Sequence, residues 1–266
     1  MNRERNPWTA CCPARALIAA AALACMTQPP SPAGAADVDF LVPGVSLGSI
    51  EFEKGAAVSY LVISEAHGIR DTSTVGLEVI CSGGEDIELE IVSSDWPGSV
   101  EETVAVRLRL CPEAGEAASA EEFFSCVRSI RVREGAGEYR EPSPEEIGDF
   151  EIERLFLGGG EGTETRSLGE EEIATPAGTF ECRVLEHARA ETREISLGGF
   201  EAVRSEKEIS VLHMSSRVPF WGLVRSRVER RVTTEYSGEA SAPPSRPAVT
   251  VTESVLRSFT TPDDSG

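Results

Sequence analysis

The chain has 266 residues and a formal net charge of −20. Residues 1–35 carry a net charge of +2, so the remainder carries −22. Nucleic acids and anionic membrane surfaces attract cationic proteins, so this balance argues against either as a partner. From Ala36 onward the sequence has no Asn and no Gln, which removes the amide side chains that a sugar-binding site would use.

Residues 1–35 have the pattern of an export signal peptide. Three arginines, Arg3, Arg5 and Arg15, precede the apolar run 16–25, and residues 33–35 (Ala-Gly-Ala) form a small-residue cleavage site. The run is too short to span a bilayer permanently. We therefore expect a mature chain that starts at Ala36 and is periplasmic or secreted. The alternative is a lipoprotein signal, with a lipid anchor on Cys25.

Four strand-like stretches follow, the first apolar on both sides and the others alternating, and Gly, Pro or Asp residues separate them. They are residues 58–63, 74–81, 87–91 and 104–110. An alternation with a period of two is typical of strands, and short connections favour an antiparallel meander. Residues 65–71, which include His67, are predicted to form a loop.

A helix is predicted over residues 120–130. Ser119 and Glu122 have the spacing of a capping box. The apolar residues at helical spacing are Phe123, Val127 and Ile130. We expect this helix to cover an open side of the sheet.

The middle of the chain contains few regular elements. Residues 143–146 predict a second, very short helix with proline at its first position. Residues 158–162 are rich in glycine, but no Gly-Lys-Ser/Thr follows, so they predict a loop without a phosphate site.

One β-rich domain over residues 36–262 is the simplest organisation, and two halves split near residue 158 are the alternative. Residues 263–266 are expected to be a disordered tail.

Two segments of the second half combine turn residues with a strand. In residues 175–184, Pro176 and Gly178 predict a tight turn, after which Phe180, Cys182 and Val184 share one face of a strand. Residues 217–225 feed a second long strand that continues to residue 236. We expect the two segments to lie side by side. Further strands are predicted at residues 208–214 and 249–259, with a hairpin tip at 198–199.

These two segments carry a resemblance to known proteins. Residues 177–182 (Ala-Gly-Thr-Phe-Glu-Cys) and 218–224 (Val-Pro-Phe-Trp-Gly-Leu-Val) resemble a pattern in uncharacterised bacterial envelope proteins. Some of those are similar to LolA/LolB-type lipoprotein carriers, whose fold is an incomplete β-barrel around an apolar cavity. The strand pattern and the resemblance together predict a mainly β, antiparallel protein. Its fold would be a partly open barrel or a strongly curved sheet with one or two short helices.

Four cysteines remain if cleavage occurs before Ala36. They are Cys81, Cys111, Cys126 and Cys182. An even number in an exported chain permits two disulfides with three possible connectivities. Cys81 and Cys111 both end strands, which favours that pair, whereas Cys182 is equally suited to be a buried apolar residue. Because no Cys-x-x-Cys pair occurs, we expect no metal site.

The sequence contains no recognisable catalytic constellation. Of the three histidines, His67 is expected to be an exposed loop residue and His187 a surface or rim residue. His213 is the best catalytic candidate because Ser215 and Ser216 are near in sequence, but no Gly-x-Ser-x-Gly elbow occurs. We therefore expect a protein that is not an enzyme and needs no cofactor, with a hydrolase around His213 as an alternative.

A binding role is the prediction that the sequence supports best. Phe180, Val184, Phe220, Trp221 and Leu223 are predicted to line or border an apolar cavity, with core packing as the alternative. The predicted protein is a non-catalytic envelope protein that binds an apolar small molecule or a lipoprotein. The alternative is a structural or protein-interaction module with a solid core, which pairs with another envelope protein.

Overall fold

The computed structural model describes most of the chain from residue 50 onward. The described residues are 42–43, 50–83, 86–94, 103–117, 120–143, 156–157, 163–197, 200–237 and 247–262. The predicted signal peptide, Cys25, residues 158–162 and the tail 263–266 lie outside them. So do the capping residue Ser119 and residues 144–146 of the second predicted helix. Every described residue belongs to one compact unit, Ala33–Gly266.

Most of the described chain is strand. In chain order the strands are β1 (Val42–Pro43), β2 (Ala57–Ala66), β3 (Ile69–Gly83), β4 (Asp86–Ser94), β5 (Thr103–Leu110), β6 (Val127–Glu134), β7 (Phe156–Leu157), β8 (Glu164–Thr175), β9 (Gly178–Leu197), β10 (Phe200–Met214), β11 (Leu223–Ser237) and β12 (Ala248–Thr260). The helical segments of the described chain are a 3₁₀ turn (Pro112–Glu116) and helix α1 (Ala120–Ser125).

Ten of these strands form one antiparallel sheet in the order β6-β5-β4-β3-β2-β12-β11-β10-β9-β8, and β1 pairs with β7 separately. The sheet consists of two meanders, β2 to β6 and β8 to β12. Pairing between β2 and β12 joins the meanders, so strands from both sides of residue 158 share one sheet. Strands β6 and β8 are its edges, and the sheet does not close. The predicted mainly β, antiparallel fold and the first meander are confirmed.

The sheet is strongly curved. The rings of Phe180 on β9 and Phe259 on β12 lie with their centroids 5.8 Å apart in an edge-to-face contact. Three strand spacings separate β9 from β12 in the sheet order, which is about 14 Å along a flat sheet. The contact therefore brings β9 and β12 closer together than a flat sheet would allow.

Tight turns set the register of the hairpins. His67 and Gly68 connect β2 to β3 with φ values of 55° and 78°, the left-handed conformations that a two-residue type I′ turn needs. The predicted loop over residues 65–71 is therefore too long, although His67 is exposed as predicted. Pro176 and Ala177 connect β8 to β9, and Gly178 has a positive φ of 131°, as the sequence predicts.

The predicted helix over residues 120–130 is wrong beyond Ser125. Helix α1 ends there, and Val127 and Ile130 belong to β6. Val127 pairs with Leu110, and Ile130 pairs with Leu108, so Arg128 is an extra residue in a β-bulge. The bulge places Val127 and Ile130 on one side of the strand at a spacing of three, which imitates helical periodicity.

The predicted Cys81–Cys111 disulfide is also wrong. All four described cysteines are free thiols. Cys81 on β3 pairs with Glu88 on β4, and Glu88 pairs in turn with Arg109 on β5. Two strand spacings are about 10 Å, which is farther than the roughly 7 Å between Cα atoms that a disulfide bridges.

Candidate ligand-binding site

The predicted site residues lie in the hydrophobic core. Phe180, Val184, Trp221 and Leu223 are buried, and Phe220 is half-buried and packs against the same core. The Trp221 ring stacks on Phe220 with centroids 5.8 Å apart and meets the edge of Phe123 at 6.4 Å. These aromatic rings therefore contact one another as well as the aliphatic core.

The turn that carries Phe220 and Trp221 is conformationally unusual. Phe220 has φ 63°, a left-handed conformation that is rarely populated by bulky residues. The Gly222 N–H bonds the Pro219 carbonyl at 3.5 Å, and the Ser215 N–H bonds the Gly222 carbonyl at 2.8 Å. These bonds hold the turn so that both aromatic rings reach the core. Such strain recurs at binding sites, where surrounding structure over-determines it.

The two predicted segments contact each other, but their strands do not pair. The Arg217 guanidinium lies 5.3 Å from the centroid of the Phe180 ring and donates to the Thr179 carbonyl at 3.3 Å. Strand β10, however, lies between β9 and β11. The prediction that the segments lie side by side is correct for the Arg217 turn and wrong for strand β11.

Strand β9 buries opposite faces at its two ends. Phe180, Cys182 and Val184 are buried at the hairpin end, whereas Leu185 and His187 are buried farther along. Adjacent residues of a strand point to opposite sides, so Val184 and Leu185 face different sides of the sheet. Simple alternation from Phe180 would expose His187. Its predicted position at the surface or rim is wrong, because the side chain is only 2% exposed.

Four polar side chains form what we call the polar strip: His187, Ser210, Ser226 and Ser254. Ser210 pairs with His187 across β10 and β9, and Ser226 pairs with Ser254 across β11 and β12. Leu212 is two residues from Ser210 and pairs with Ser226. Because paired residues and residues two apart share a face, all four members lie on one face, which we call the inner face.

The members of the polar strip are buried without hydrogen-bond partners. Ser226 and Ser254 are 0% exposed, and Ser210 is equally shut off from solvent. Within the described chain, the three Oγ atoms and the His187 Nε2 make no hydrogen bond. A buried hydroxyl or imidazole nitrogen without a partner costs about 1–3 kcal/mol. The sequence did not identify these serines, although Ser226 interrupts a valine face of β11.

The inner face changes character along its strands. Toward one end it carries Tyr60, Leu256 and the Phe259 ring, and these side chains pack in or against the core. The polar strip follows. One row beyond His187 and Ser210, Arg189, Glu208 and Arg230 face one another across β9, β10 and β11. The face therefore passes from apolar through uncharged polar to charged side chains.

His187 is held in a neutral, oriented state. Its Nδ1 lies 2.8 Å from the hydroxyl of Thr165 on β8, and this contact fixes the ring. Burial lowers the pKa of His187 below its usual value. The uncharged ring therefore presents Nε2 to the inner face as a donor or as an acceptor, according to which nitrogen bears the proton.

Tyr60 closes the apolar end of the inner face. Its hydroxyl donates to the Leu223 carbonyl at 2.9 Å. Burial raises the pKa of Tyr60 well above its usual value, so the phenol stays protonated. The bond crosses from β2 to the start of β11, which ties the Trp221 turn to the sheet.

His213 lies beside a carboxylate of β8. Its Nε2 lies 3.3 Å from a carboxylate oxygen of Glu171, and its buried Nδ1 has no partner in the described chain. The Ser215 N–H donates to the Gly222 carbonyl in the adjoining turn.

Among the described residues, no group of three or more His, Cys, Asp or Glu residues could hold a metal ion. None of the described helices has the length and hydropathy to cross a membrane.

Comparisons with known proteins add little. No family model and no curated protein matches the chain. A solved structure described as a candidate lipoprotein from Parabacteroides distasonis has 12% identity and a TM-score of 0.29, over 81% of this chain and 99% of that chain. A candidate exported protein with a YmcC-like fold from Bacteroides fragilis has 10% identity and a TM-score of 0.31, over 84% and 99%.

A third similar structure is a DUF1329 family protein from Desulfovibrio piger, with 12% identity and a TM-score of 0.28 over 78% of this chain and 87% of that chain. TM-scores this low carry no argument about fold or function. The resemblance to LolA/LolB-type carriers stays a prediction.

Proposed function

We propose that this chain is an exported, non-catalytic binding protein that holds an amphipathic molecule on its inner face. Export is supported by the signal pattern of residues 1–35. The ligand would be an apolar molecule with one hydrogen-bonding group, or the acyl chain of a lipidated partner. The observation that carries this proposal is the polar strip, whose four buried polar atoms lack partners in the described chain.

The gradient along the inner face supports a defined orientation of such a ligand. Binding would require the inner face to open, because Ser210, Ser226 and His187 are shut off from solvent. In the open state the apolar part of the ligand would lie toward Leu256 and Phe259, and its polar group would meet the polar strip. No member of the strip is a cation, and burial keeps His187 neutral. An uncharged hydroxyl or amide group fits this strip better than a carboxylate, because a buried anion needs a paired charge.

Binding can be tested with the purified chain and a fluorescent fatty-acid probe. We expect the probe to bind and to be displaced by a monoacylglycerol or a fatty alcohol at lower concentration than by a fatty acid of equal length. Native mass spectrometry of protein purified without detergent should show a retained ligand. Absence of both probe binding and retained ligand would contradict the proposal.

A double variant separates ligand binding from stability. Ser226→Ala with Ser254→Ala removes two unpartnered hydroxyls, so it should stabilise the ligand-free protein by about 1–2 kcal/mol while weakening ligand affinity at least roughly tenfold. Ser205→Ala is the matched control, since Ser205 lies on β10 outside the core and bonds Thr192. Unchanged affinity in the double variant would exclude the polar strip as the ligand site.

A protein-interaction module with a solid core is the second candidate. The close contacts of Phe52, Phe123, Phe220 and Trp221 favour it, because they fill this part of the core with the chain's own side chains. Strand β8 also presents an open edge along residues that are almost all exposed. Crosslinking that captures one defined envelope protein, combined with no lipid binding, would favour this candidate.

A further inference from the structure

Cys111 and Cys126 face each other at the base of one loop. Cys111 directly follows β5 and Cys126 directly precedes β6, next to the paired residues Leu110 and Val127. The Cys111 N–H donates to the Cys126 carbonyl at 2.8 Å, and the neighbouring Cys126 side chain helps to raise the pKa of the Cys111 thiol, as expected of two side chains that lie close together. Residues that face each other across antiparallel strands have Cα atoms about 4.5–5.5 Å apart. A disulfide spans roughly 4.4–6.8 Å.

The other two described cysteines have no such partner. Strand β4 separates Cys81 from β5. Cys182 lies on β9 in the second meander, buried in the core, and burial raises the pKa of its thiol to about 11. The structure thus offers one pairing among the three connectivities that the sequence left open.

We propose that Cys111 and Cys126 form a disulfide in an oxidising compartment. Each thiol loses its proton, the two sulfur atoms join, and the two electrons reduce a disulfide oxidant, such as a thiol–disulfide oxidoreductase, to its dithiol. In cells the proposal rests on the export that is part of the proposed function. The geometry of the pair does not depend on export.

The disulfide would clamp the segment that covers the aromatic part of the core. Residues 112–125 contain the 3₁₀ turn and α1, and they bring Ala114 and Phe123 into the core. The Gly115 carbonyl accepts from the Ile50 N–H at 2.8 Å. A Cβ at Gly115 would lie 2.2 Å from the Ile50 carbonyl oxygen, so the two backbones pack closely at this point. Phe123 meets the Trp221 ring, so the clamp acts next to the Phe220–Trp221 turn.

Formation of the bond should need a catalyst. Burial and the neighbouring Cys126 and Glu113 side chains raise the pKa of Cys111 to about 12. The thiolate is the attacking species in disulfide exchange, so Cys111 is a poor attacking group at neutral pH. We expect slow oxidation by glutathione alone and faster oxidation with a thiol–disulfide oxidoreductase.

Peptide mapping tests the pairing directly. The purified full chain is equilibrated with oxidised glutathione and an oxidoreductase, alkylated, and digested with trypsin. Cleavage after Arg109 and Arg128 releases residues 110–128 with both cysteines in one peptide. We expect this peptide to escape alkylation and to weigh two hydrogens less than its reduced form, while Cys81 and Cys182 are alkylated. The oxidised chain should unfold roughly 5–10 °C higher than the reduced chain.

Cysteine variants test the pairing, and alkylation at cell lysis tests the compartment. Cys126→Ser should leave Cys111 alkylatable, and Cys81→Ser should leave the oxidised 110–128 peptide unchanged. A peptide that stays fully alkylated, or a bond to Cys81 or Cys182, would overturn the pairing. Protein alkylated at cell lysis reports on export: oxidation in vitro with reduction in cells would overturn the proposed compartment and leave the pairing intact.

Discussion

The two meanders have the same topology but bury different side chains. The first, β2 to β6, fills its inner face with aliphatic residues such as Leu77, Leu89 and Leu108, and its buried polar residues are Ser93 and Ser94 at the end of β4. The second, β8 to β12, carries the polar strip in the middle of its strands. A stretch of buried hydroxyls lowers stability. This difference is why the proposed binding site is placed in the second meander.

The outer side of the first meander carries a cluster of charged and aromatic side chains around Glu90. The Glu90 carboxylate accepts hydrogen bonds from Arg107, at 2.8 Å, and from the Tyr139 hydroxyl. The Arg107 and Arg133 guanidinium groups lie over the Tyr139 ring at 4.2 and 4.9 Å from its centroid. Within the described chain the Glu90 carboxylate and the Tyr139 hydroxyl are hydrogen-bonded, although the Nε atoms of Arg107 and Arg133 are not, whereas the three serine hydroxyls of the polar strip all lack partners. We therefore expect the two meanders to respond differently to substitution.

The largest effect is expected from an aliphatic residue of the first meander. Leu108→Ala should lower the free energy of unfolding by about 3 kcal/mol, because the substitution leaves a cavity in a close-packed region. Leu168→Ala on β8 is the matched control, since Leu168 is 48% exposed, and it should cost less than about 0.5 kcal/mol. Urea unfolding measures both, and equal losses would break the comparison.

An intermediate effect is expected at Glu90. Glu90→Gln should cost about 1.5 kcal/mol, because it removes the charge that Arg107 and Tyr139 bind. Glu134→Gln is the control, since Glu134 pairs with Arg140 at a side-chain exposure of 73%. Urea unfolding at neutral pH should show a loss near zero for this control.

The same site gives a pH dependence with a defined sign. Burial raises the pKa of Glu90, but hydrogen bonds from Tyr139 and Arg107 outweigh it, so the pKa is lower in the folded state. The contribution to stability is present above the ordinary carboxyl pKa and is lost as the pH falls through the folded pKa. Wild type should therefore lose more stability than Glu90→Gln below about pH 4.5. Parallel pH profiles would contradict this.

The smallest effect is expected from His187 in the polar strip, on the pH dependence of stability. Burial lowers the pKa of His187, so the unfolded chain takes up a proton at a higher pH than the folded chain. Stability should fall as the pH drops below about 6.5 toward the folded pKa. His187→Gln should remove up to about 1 kcal/mol of this dependence. Thermal unfolding between pH 7.5 and 5.5 measures it, and identical profiles would show that His187 is not buried in the neutral form.

Much of the fold could be predicted because alternation reports burial directly. Phe180, Cys182 and Val184 are buried as their spacing predicts, and the strands of the first meander follow the same rule. The rule fails where a strand gains a residue or reverses its buried side. Arg128 is such an extra residue, and its bulge gave Val127 and Ile130 a helical spacing.

The site was predicted less completely than the fold. The aromatic residues around Trp221 were identified because large apolar side chains near Gly and Pro are conspicuous in a sequence. The polar strip was missed because its members lie on four different strands, and the exact register that brings them together is not readable from the pattern within one strand. His187 was misplaced because β9 changes its buried side between Val184 and Leu185.

The seam between β2 and β12 has a consequence for how the chain matures. Residue 57 pairs with residue 260, so the centre of the sheet joins nearly the first and the last described segments. The seam cannot close until synthesis has delivered the C-terminal strand. Until then the backbone N–H and C=O groups along one edge of β2 are unpaired and can pair with strands of other chains, which favours aggregation. We expect truncation before β12 to yield insoluble protein, and a chaperone that binds β2 would protect the chain during that interval.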